Sequence, residues 1–129
     1  MAKFLSTLTA CQMEGDTVWA LGESLVYQSD LIGMVIVPQG FETDFASVPR
    51  IPVVFTLWGD RAHREAVIHD YLYRRNSRPV VSIETANSVF LEAMECLGKS
   101  AVVRYPMYWG VCLGGSSSYH KRNVEDKLR

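Results

Sequence analysis

The sequence predicts an α+β domain in which an N-terminal antiparallel β-meander packs against two to three C-terminal helices. Short runs of β-branched and aromatic residues, separated by turn residues, occupy the first forty positions. The turns between them are too short for crossover helices, so neighbouring strands should be antiparallel. Helical periodicity begins near position 60. Strands followed by helices in this order are typical of an α+β domain.

Length and composition predict one globular domain. The chain has 129 residues, of which 48% are hydrophobic and 21% charged, and this composition argues against disorder. We divide it into a β-meander (1–40), a motif loop (41–59), a helical part (60–115) and a polar tail (116–129). The formal net charge of −1 gives no field that favours nucleic acid, and no apolar run approaches the length of a membrane span.

Four strands are predicted in the meander, at residues 4–9, 17–21, 24–29 and 34–37. Residues 8–11 resemble the cleavage box of a bacterial lipoprotein, but the apolar stretch before Cys11 is too short for a signal peptide. We therefore interpret this segment as part of the first strand. Residues 41–52 contain two prolines, which predict a rigid loop without regular structure.

Three helical segments follow the loop. Residues 60–75 contain no glycine or proline, which predicts a helix, and they end with arginines. These arginines complement the negative end of the helix dipole or, alternatively, contact a phosphate or a partner. Residues 82–97 form the clearest helix, with Ser82 as N-cap and Gly98 after its end. Its predicted buried residues recur at intervals of three and four: Ile83, Ala86, Phe90, Ala93 and Leu97. Residues 101–113 contain Pro106 and Gly110, which predict a short or kinked helix.

The three cysteines are far apart in the sequence. Cys11, Cys96 and Cys112 are odd in number and lack the close pairs of a zinc signature. They indicate free thiols in a reducing compartment, without a disulfide framework.

One polar constellation stands out. A helical wheel of residues 60–76 places Ala62, Ala66, His69 and Tyr73 on one narrow face, with Asp70 and His63 at its edge. Small residues beside an imidazole allow another segment, or a ligand, to approach closely. We predict that the approaching segment is the motif loop, which carries an acid and two hydroxyls: Thr43, Asp44 and Ser47.

Several interpretations of this constellation stay open. A metal site would use His69, Asp70 and Asp44, with His63 as a further ligand. A nucleophilic triad of Ser47, His69 and Asp44 has the correct residue types but lacks a nucleophile-elbow motif. A structural network would bond Asp44 to His69 and fix the loop to the helix. Acid–base chemistry or ligand binding without metal is the remaining alternative.

Three segments carry a resemblance to a known family. Residues 37–49 (VPQGFETDFASVP), 66–73 (AVIHDYLY) and 90–94 (FLEAM) resemble, in order and spacing, a family of small uncharacterised proteins of tailed phages and prophages. The likeness extends to about Gly115. The family is a domain of unknown function, so the resemblance implies a phage context and no reaction.

The resemblance also implies an acidic residue early in the helix at 82–97, where this sequence has Asn87. An amide can keep a hydrogen bond there, but it is a poorer ligand than a carboxylate for a hard cation. This departure argues against a metal site and favours a structural network.

Two classes of function follow. The first is a small phage hydrolase with His69 as acid/base or ligand, supported by Asp44 and Asp70. The second, which we favour, is a non-catalytic virion component or host-interaction protein in the host cytoplasm or virion, whose partners are phage or host proteins. We expect no cofactor in that case, with a divalent metal as the alternative. Its binding surface would be aromatic or basic, and the aromatic candidates are Trp58, Tyr105, Tyr108 and Trp109.

Overall fold

The computed structural model describes residues 2–6, 10–12, 18–43, 64–114 and 119–126 of the 129-residue chain. An antiparallel β-region precedes three helices, so the predicted α+β fold is confirmed. The described strands are β1 (Lys3–Phe4), β2 (Ala10–Gln12), β3 (Trp19–Leu21), β4 (Leu25–Ser29), β5 (Gly33–Val37) and β6 (Glu42–Thr43).

The strands divide into two three-stranded sheets, with the orders β1-β4-β5 and β2-β3-β6. The register of the first sheet pairs Leu25 with Val37 and Tyr27 with Val35, and all four side chains are buried. Met34 and Ile36 alternate with them and are exposed. This period of two identifies one face of the first sheet as the core face.

Three helices follow: α1 (Arg64–Leu72), α2 (Ile83–Cys96) and α3 (Ala101–Gly114). α1 ends three residues before the predicted end at residue 75. The predicted N-cap of α2 is confirmed, because the Ser82 hydroxyl accepts a hydrogen bond from the Thr85 amide at 3.1 Å. After α2, Gly98 adopts a φ of +79°, a left-handed conformation that favours glycine.

Two core clusters hold the helices to the sheet and to one another. One core cluster joins the sheet to α1 and α2 and includes Tyr27, Val35, Ile68 and Val89. A second cluster joins all three helices: Ala66, Phe90, Met94, Val103, Met107 and Val111. α1 and α2 both pack on the first sheet, and every residue of α1 from Glu65 to Leu72 is buried, while α3 packs on the outside against α2.

Several sequence predictions need correction. α3 is one continuous helix of 14 residues that passes through Pro106, so the prediction of a short helix is wrong. Proline removes a single backbone hydrogen bond there, and packing of the inner face offsets that loss. β6 lies in the segment expected to be irregular. Of the residues expected to be buried on α2, Ala86, Phe90 and Ala93 are buried, whereas Ile83 and Leu97 are only half-buried.

Glu92 is only partly exposed and joins α2 to the first sheet. Its carboxylate accepts hydrogen bonds from the Tyr27 hydroxyl at 2.6 Å and from the Asp30 amide at 3.1 Å. Burial and the neighbouring Glu92 charge raise the pKa of Tyr27 well above its ordinary value. Glu92 is thus a structural residue, because its carboxylate satisfies a largely buried hydroxyl at the sheet–helix boundary.

Part of the polar tail packs against the body of the protein. Residues 119–126, which we call the C-terminal strap, run along the connection between α1 and α2. The His120 amide donates to the Tyr73 carbonyl at 2.7 Å, and the Val124 amide donates to Asn76 Oδ1 at 2.7 Å. The Tyr119 hydroxyl donates to the Val81 carbonyl, and its ring meets the Tyr73 ring edge to face. The strap therefore covers the C-terminal end of α1.

Candidate functional site

The centre of the site is a buried hydrogen-bond network between α1 and α2. Asn87 Oδ1 lies 2.8 Å from His69 Nε2 and accepts a hydrogen bond from the Tyr73 hydroxyl at 2.7 Å. The His69 ring centroid lies 4.1 Å from that of Tyr73 and 4.9 Å from that of Phe90. Three polar residues chosen from the sequence are thus brought together: His69, Tyr73 and Asn87.

Local geometry explains this placement. His69 lies in α1, and Tyr73 comes directly after the last residue of this helix, one turn beyond His69. The Tyr73 amide donates to the His69 carbonyl at 3.1 Å. Residues four apart on a helix share a face, so both side chains point towards α2. Asn87 lies one turn inside α2 on the face that also carries Phe90 and Met94. Side chains spaced by three and four therefore build the network from both helices.

The network favours a neutral histidine. His69 is fully buried, and this burial lowers its pKa to about 4, although the hydrogen bond to Asn87 acts in the opposite direction. The amide oxygen is an acceptor, so a neutral ring donates from Nε2. Burial also raises the pKa of Tyr73 above its ordinary value. Both groups therefore keep their uncharged forms at neutral pH.

Cys112 extends the network towards the surface. Asn87 Nδ2 donates to Cys112 Sγ at 3.8 Å, and this thiol also lies beside Tyr108. Cysteine, histidine and asparagine are the residue types of a cysteine-protease site. Here, however, the amide lies between the thiol and the imidazole, so His69 is not placed to take the thiol proton. This arrangement is a hydrogen-bond chain and lacks the order of a nucleophilic triad.

A second polar contact joins the motif loop to α1. The Thr43 hydroxyl, at the end of β6, donates to Asp70 Oδ2, and both residues are buried. Thr43 belongs to the first sequence motif and Asp70 to the second. The structure thus brings the two motifs together at Thr43 and Asp70, whereas the segment that meets the His69–Tyr73 face is α2, through Asn87.

The other loop candidates, Asp44 and Ser47, lie outside the described residues, as do His63 and Trp58. The contact of Asp44 with His69, and the metal and triad interpretations that need Asp44 or Ser47, stay predictions. Within the ranges that the structure describes, no group of three or more histidine, cysteine or acidic side chains is arranged to hold a metal ion. Within the same ranges, no helix has the length and hydropathy needed to cross a membrane.

Arg74, one of the arginines at the end of the predicted helix, is buried. Its guanidinium donates to the Glu42 carbonyl at 2.8 Å and to the Asn123 carbonyl at 3.0 Å, and it stacks over the Phe41 ring at 4.7 Å. Arg75 is exposed. Arg74 thus ties β6, α1 and the strap together. Local sequence gives no signal for this role, because the residues that Arg74 contacts are distant in the chain.

Glu65 is another buried charge that the sequence did not indicate. It has no exposed surface, and burial raises its pKa to about 7. Lys99 Nζ lies 4.0 Å from Glu65 Oε2 and partly offsets this effect. In the sequence, Glu65 resembles an ordinary acid in the first turn of a helix, so its burial becomes evident only when α2 and α3 are packed around it.

Among the described residues, the side of α3 that faces away from the core is exposed and apolar. Val102, Tyr105, Trp109 and Leu113 are 71%, 39%, 59% and 88% exposed, and we use the name "outer face" for these four residues. At about 100° per residue they fall within about 80° of one another. Tyr105 and Trp109 were expected to lie on such a surface, whereas Tyr108 is half-buried against the helical cluster.

Comparison with known protein families identifies the family of the chain. A family described as protein of unknown function (DUF1353) matches residues 19–111. No curated protein and no solved structure matches the chain. The match spans β3 to the last turn of α3, and it includes Thr43, the polar network and three of the four outer-face residues, but neither Leu113 nor the strap. Because it covers most of the 129 residues, the chain belongs to this family of proteins of unknown function.

Proposed function

We propose that this protein is a non-catalytic interaction module. In this proposal the His69–Asn87–Tyr73 network is architecture, and the outer face of α3 binds another protein. The observation that carries the proposal is that α3 is apolar on both faces. Its inner residues Val103, Met107 and Val111 are buried, whereas the outer face is exposed.

A helix that is apolar around its circumference is normally buried on every side. Arg104 is the only charged residue in Ala101–Gly114, and its guanidinium lies over the Tyr105 ring at 5.2 Å. Four side chains of this size expose on the order of 500 Å² of apolar surface. A continuous patch of that area on a small protein supports a binding role.

The biological context of the proposal comes from the resemblance of the sequence motifs to phage and prophage proteins. A virion component or a factor that binds a host protein agrees with an exposed aromatic face. The chain would then act in the host cytoplasm or within the virion, and its partners would be phage or host proteins.

A small hydrolase is the second candidate, supported by the Thr43–Asp70 contact. That contact brings the motif loop to α1, and Asp44 follows Thr43 directly in the sequence. A general acid or base works best with a pKa near the working pH, and it must reach its substrate. His69 has a pKa of about 4 and no exposed surface, and its Nε2 already faces Asn87. These properties favour the architectural role.

Two substitutions separate the candidates. His69→Gln disturbs the network, and Trp109→Glu places a charge on the outer face. Val80→Glu is the matched control, because Val80 is 61% exposed, much like Trp109, but lies outside α3. Each variant is assayed for thermal unfolding and for growth of the phage or host strain that encodes the chain.

The interaction module predicts that Trp109→Glu abolishes function at an unchanged melting temperature, while Val80→Glu behaves as wild type. It also predicts that His69→Gln lowers the melting temperature and fails only when warm. Loss of function in a stably folded His69→Gln, with full function in Trp109→Glu, would instead support the hydrolase.

A further inference from the structure

The strap lies on the body of the protein in the manner of a bound peptide. The residues that receive it lie in the connection between α1 and α2, and we call them the strap site: Tyr73, Arg74, Arg75, Asn76 and Val81. Strap amides donate to the Tyr73 carbonyl and to Asn76 Oδ1, both at 2.7 Å. Strap carbonyls accept from the Arg75 amide at 2.8 Å and from the Arg74 guanidinium at 3.0 Å. These bonds use the main chain of the strap, which any peptide offers.

The strap site also contacts particular side chains of the strap. The Tyr119 hydroxyl donates to the Val81 carbonyl. Val124 is only 9% exposed and belongs to the core cluster that joins the first sheet to α1 and α2. Both carboxylate oxygens of Glu125 accept from Asn76 Nδ2, at 3.2 and 3.0 Å. Main-chain bonds that hold a segment, together with side-chain contacts that select it, are the two parts of peptide recognition.

One residue of the strap fits its position imperfectly. His120 has a φ of +56°, in the left-handed region that residues other than glycine rarely adopt. Its Nε2 atom is buried and has no hydrogen-bond partner among the described residues, which costs free energy. Both defects weaken the hold of the site on the strap. A peptide without them would bind the same site more favourably.

The family match separates the strap from its site. Residues 19–111 match the family of unknown function, and this range includes every residue of the strap site. The strap, at residues 119–126, lies beyond it. The match therefore assigns the site, and not the strap, to the family domain.

We propose that the strap site binds a peptide segment of a partner protein, and that the strap occupies the site as an internal competitor. The class of ligand follows from the side chains that the site contacts. It is a peptide with a tyrosine, followed five positions later by an aliphatic residue and then by an acid, as in Tyr119, Val124 and Glu125. The strap site contains no residue of the outer face of α3, so this inference goes beyond the proposed function and does not rest on it.

Internal competition has a measurable consequence. A site that is open in only a fraction of the molecules binds with an apparent dissociation constant equal to the intrinsic one divided by that fraction. Substitutions that weaken the strap, but leave the strap site unchanged, should therefore tighten the binding of a separate peptide.

Fluorescence anisotropy tests this with the full chain and a fluorescein-labelled peptide that has the sequence of residues 119–126. Val124→Asp and Tyr119→Ala in the chain each remove a strap contact. Both variants should bind the peptide at least about tenfold more tightly than wild type does. Lys121→Ala is the matched control and should bind as wild type does, because the Lys121 side chain is exposed and its carbonyl makes the contact with Arg75.

Two further changes test the ligand and the site. A peptide that carries Val124→Asp should not bind, because its aliphatic anchor is replaced by a charge. Asn76→Ala, added to the Val124→Asp chain, should weaken peptide binding about tenfold, because it removes the hydrogen bonds to the peptide main chain and to its acid.

The proposal is overturned if Val124→Asp and Tyr119→Ala fold, as judged by circular dichroism, and bind the peptide no better than wild type does. If Val124→Asp does not fold, Tyr119→Ala decides alone, because Tyr119 is only half-buried. Sedimentation of wild type should give a mass of 14.5 kDa. A dimer that the peptide dissociates would show that two copies exchange straps, and would overturn a partner peptide as the occupant. Trp109→Glu should leave peptide binding unchanged, so failure of this inference is distinguishable from failure of the proposed function.

Discussion

Replacing Asn87 with leucine removes the acceptor that holds the polar network together. Leucine has a similar volume, so the main effect is electrostatic: His69 Nε2 and the Tyr73 hydroxyl lose their common partner inside the protein. A buried polar group without a hydrogen bond costs about 1–3 kcal/mol. Burial of the leucine side chain offsets part of the loss, and we expect Asn87→Leu to destabilise the fold by about 2–5 kcal/mol.

Tyr73→Phe is the matched control, because it removes one hydrogen bond and leaves the His69–Asn87 contact in place. It should cost about 0.5–1.5 kcal/mol. In the double variant the tyrosine hydroxyl no longer needs a partner, so Asn87→Leu should cost about 1 kcal/mol less than in wild type. Urea unfolding followed by circular dichroism measures all four proteins of the cycle. A cost below about 1 kcal/mol for Asn87→Leu, or strictly additive costs, would refute the network as a stabilising element.

Three other predictions concern the core, the buried acid and the strap. Phe90→Ala should cost about 3–5 kcal/mol in chemical unfolding, because Phe90 is fully buried among the helices; a loss below about 1 kcal/mol would mean that α2 is peripheral. The pKa of Glu65 is about 7 in the folded protein and 4.5 ordinarily, so between these pH values the folded state binds a proton that the unfolded state does not. The stability that this proton contributes to the fold is lost as the pH rises through 7. Glu65→Gln should therefore gain on wild type by about 1.4 kcal/mol per pH unit between 4.5 and 7, and unfolding curves that shift in parallel would contradict this assignment. Tyr119→Ala loosens the strap over Tyr73, so the NMR-measured pKa of His69 should rise from about 4 towards its ordinary value, and an unchanged pKa would show that the strap does not shield the network.

Local signals predicted the parts of the fold that local physics determines. Ser82 and Gly98 mark the ends of α2 because capping and left-handed turns depend on adjacent backbone atoms. The alternation in β4 and β5 follows from the two-residue period of strands. The wheel of residues 60–76 also predicted that His69 and Tyr73 share one face, and the network confirms this.

The parts that could not be predicted depend on contacts between distant segments. Glu65 and Arg74 resemble solvent-exposed charges in the sequence, and only the packing of other elements encloses them. The strap had no periodicity to mark it, because its hydrogen bonds use mostly backbone groups of residues 119–126 and side chains near α1. β6 is two residues long, and its pairing with β3 decides its conformation.

Residue type alone predicted only part of the role of Asn87. The sequence indicated that an amide replaces the expected acid and favours a structural role. It did not indicate that one oxygen serves both His69 and Tyr73, since this requires the distance between α1 and α2. Nor did it indicate the thiol of Cys112 on the other side of the same amide.

The most direct test of the account is an NMR titration of His69 in the wild-type protein, with the imidazole nitrogens labelled. We predict a neutral ring protonated at Nε2 throughout the physiological range, which takes up a proton only near pH 4 because it is buried against Asn87 and Phe90. A pKa between about 6 and 7.5 would show an imidazole that exchanges protons near neutrality, as a general acid or base does, and would contradict the architectural role of the network.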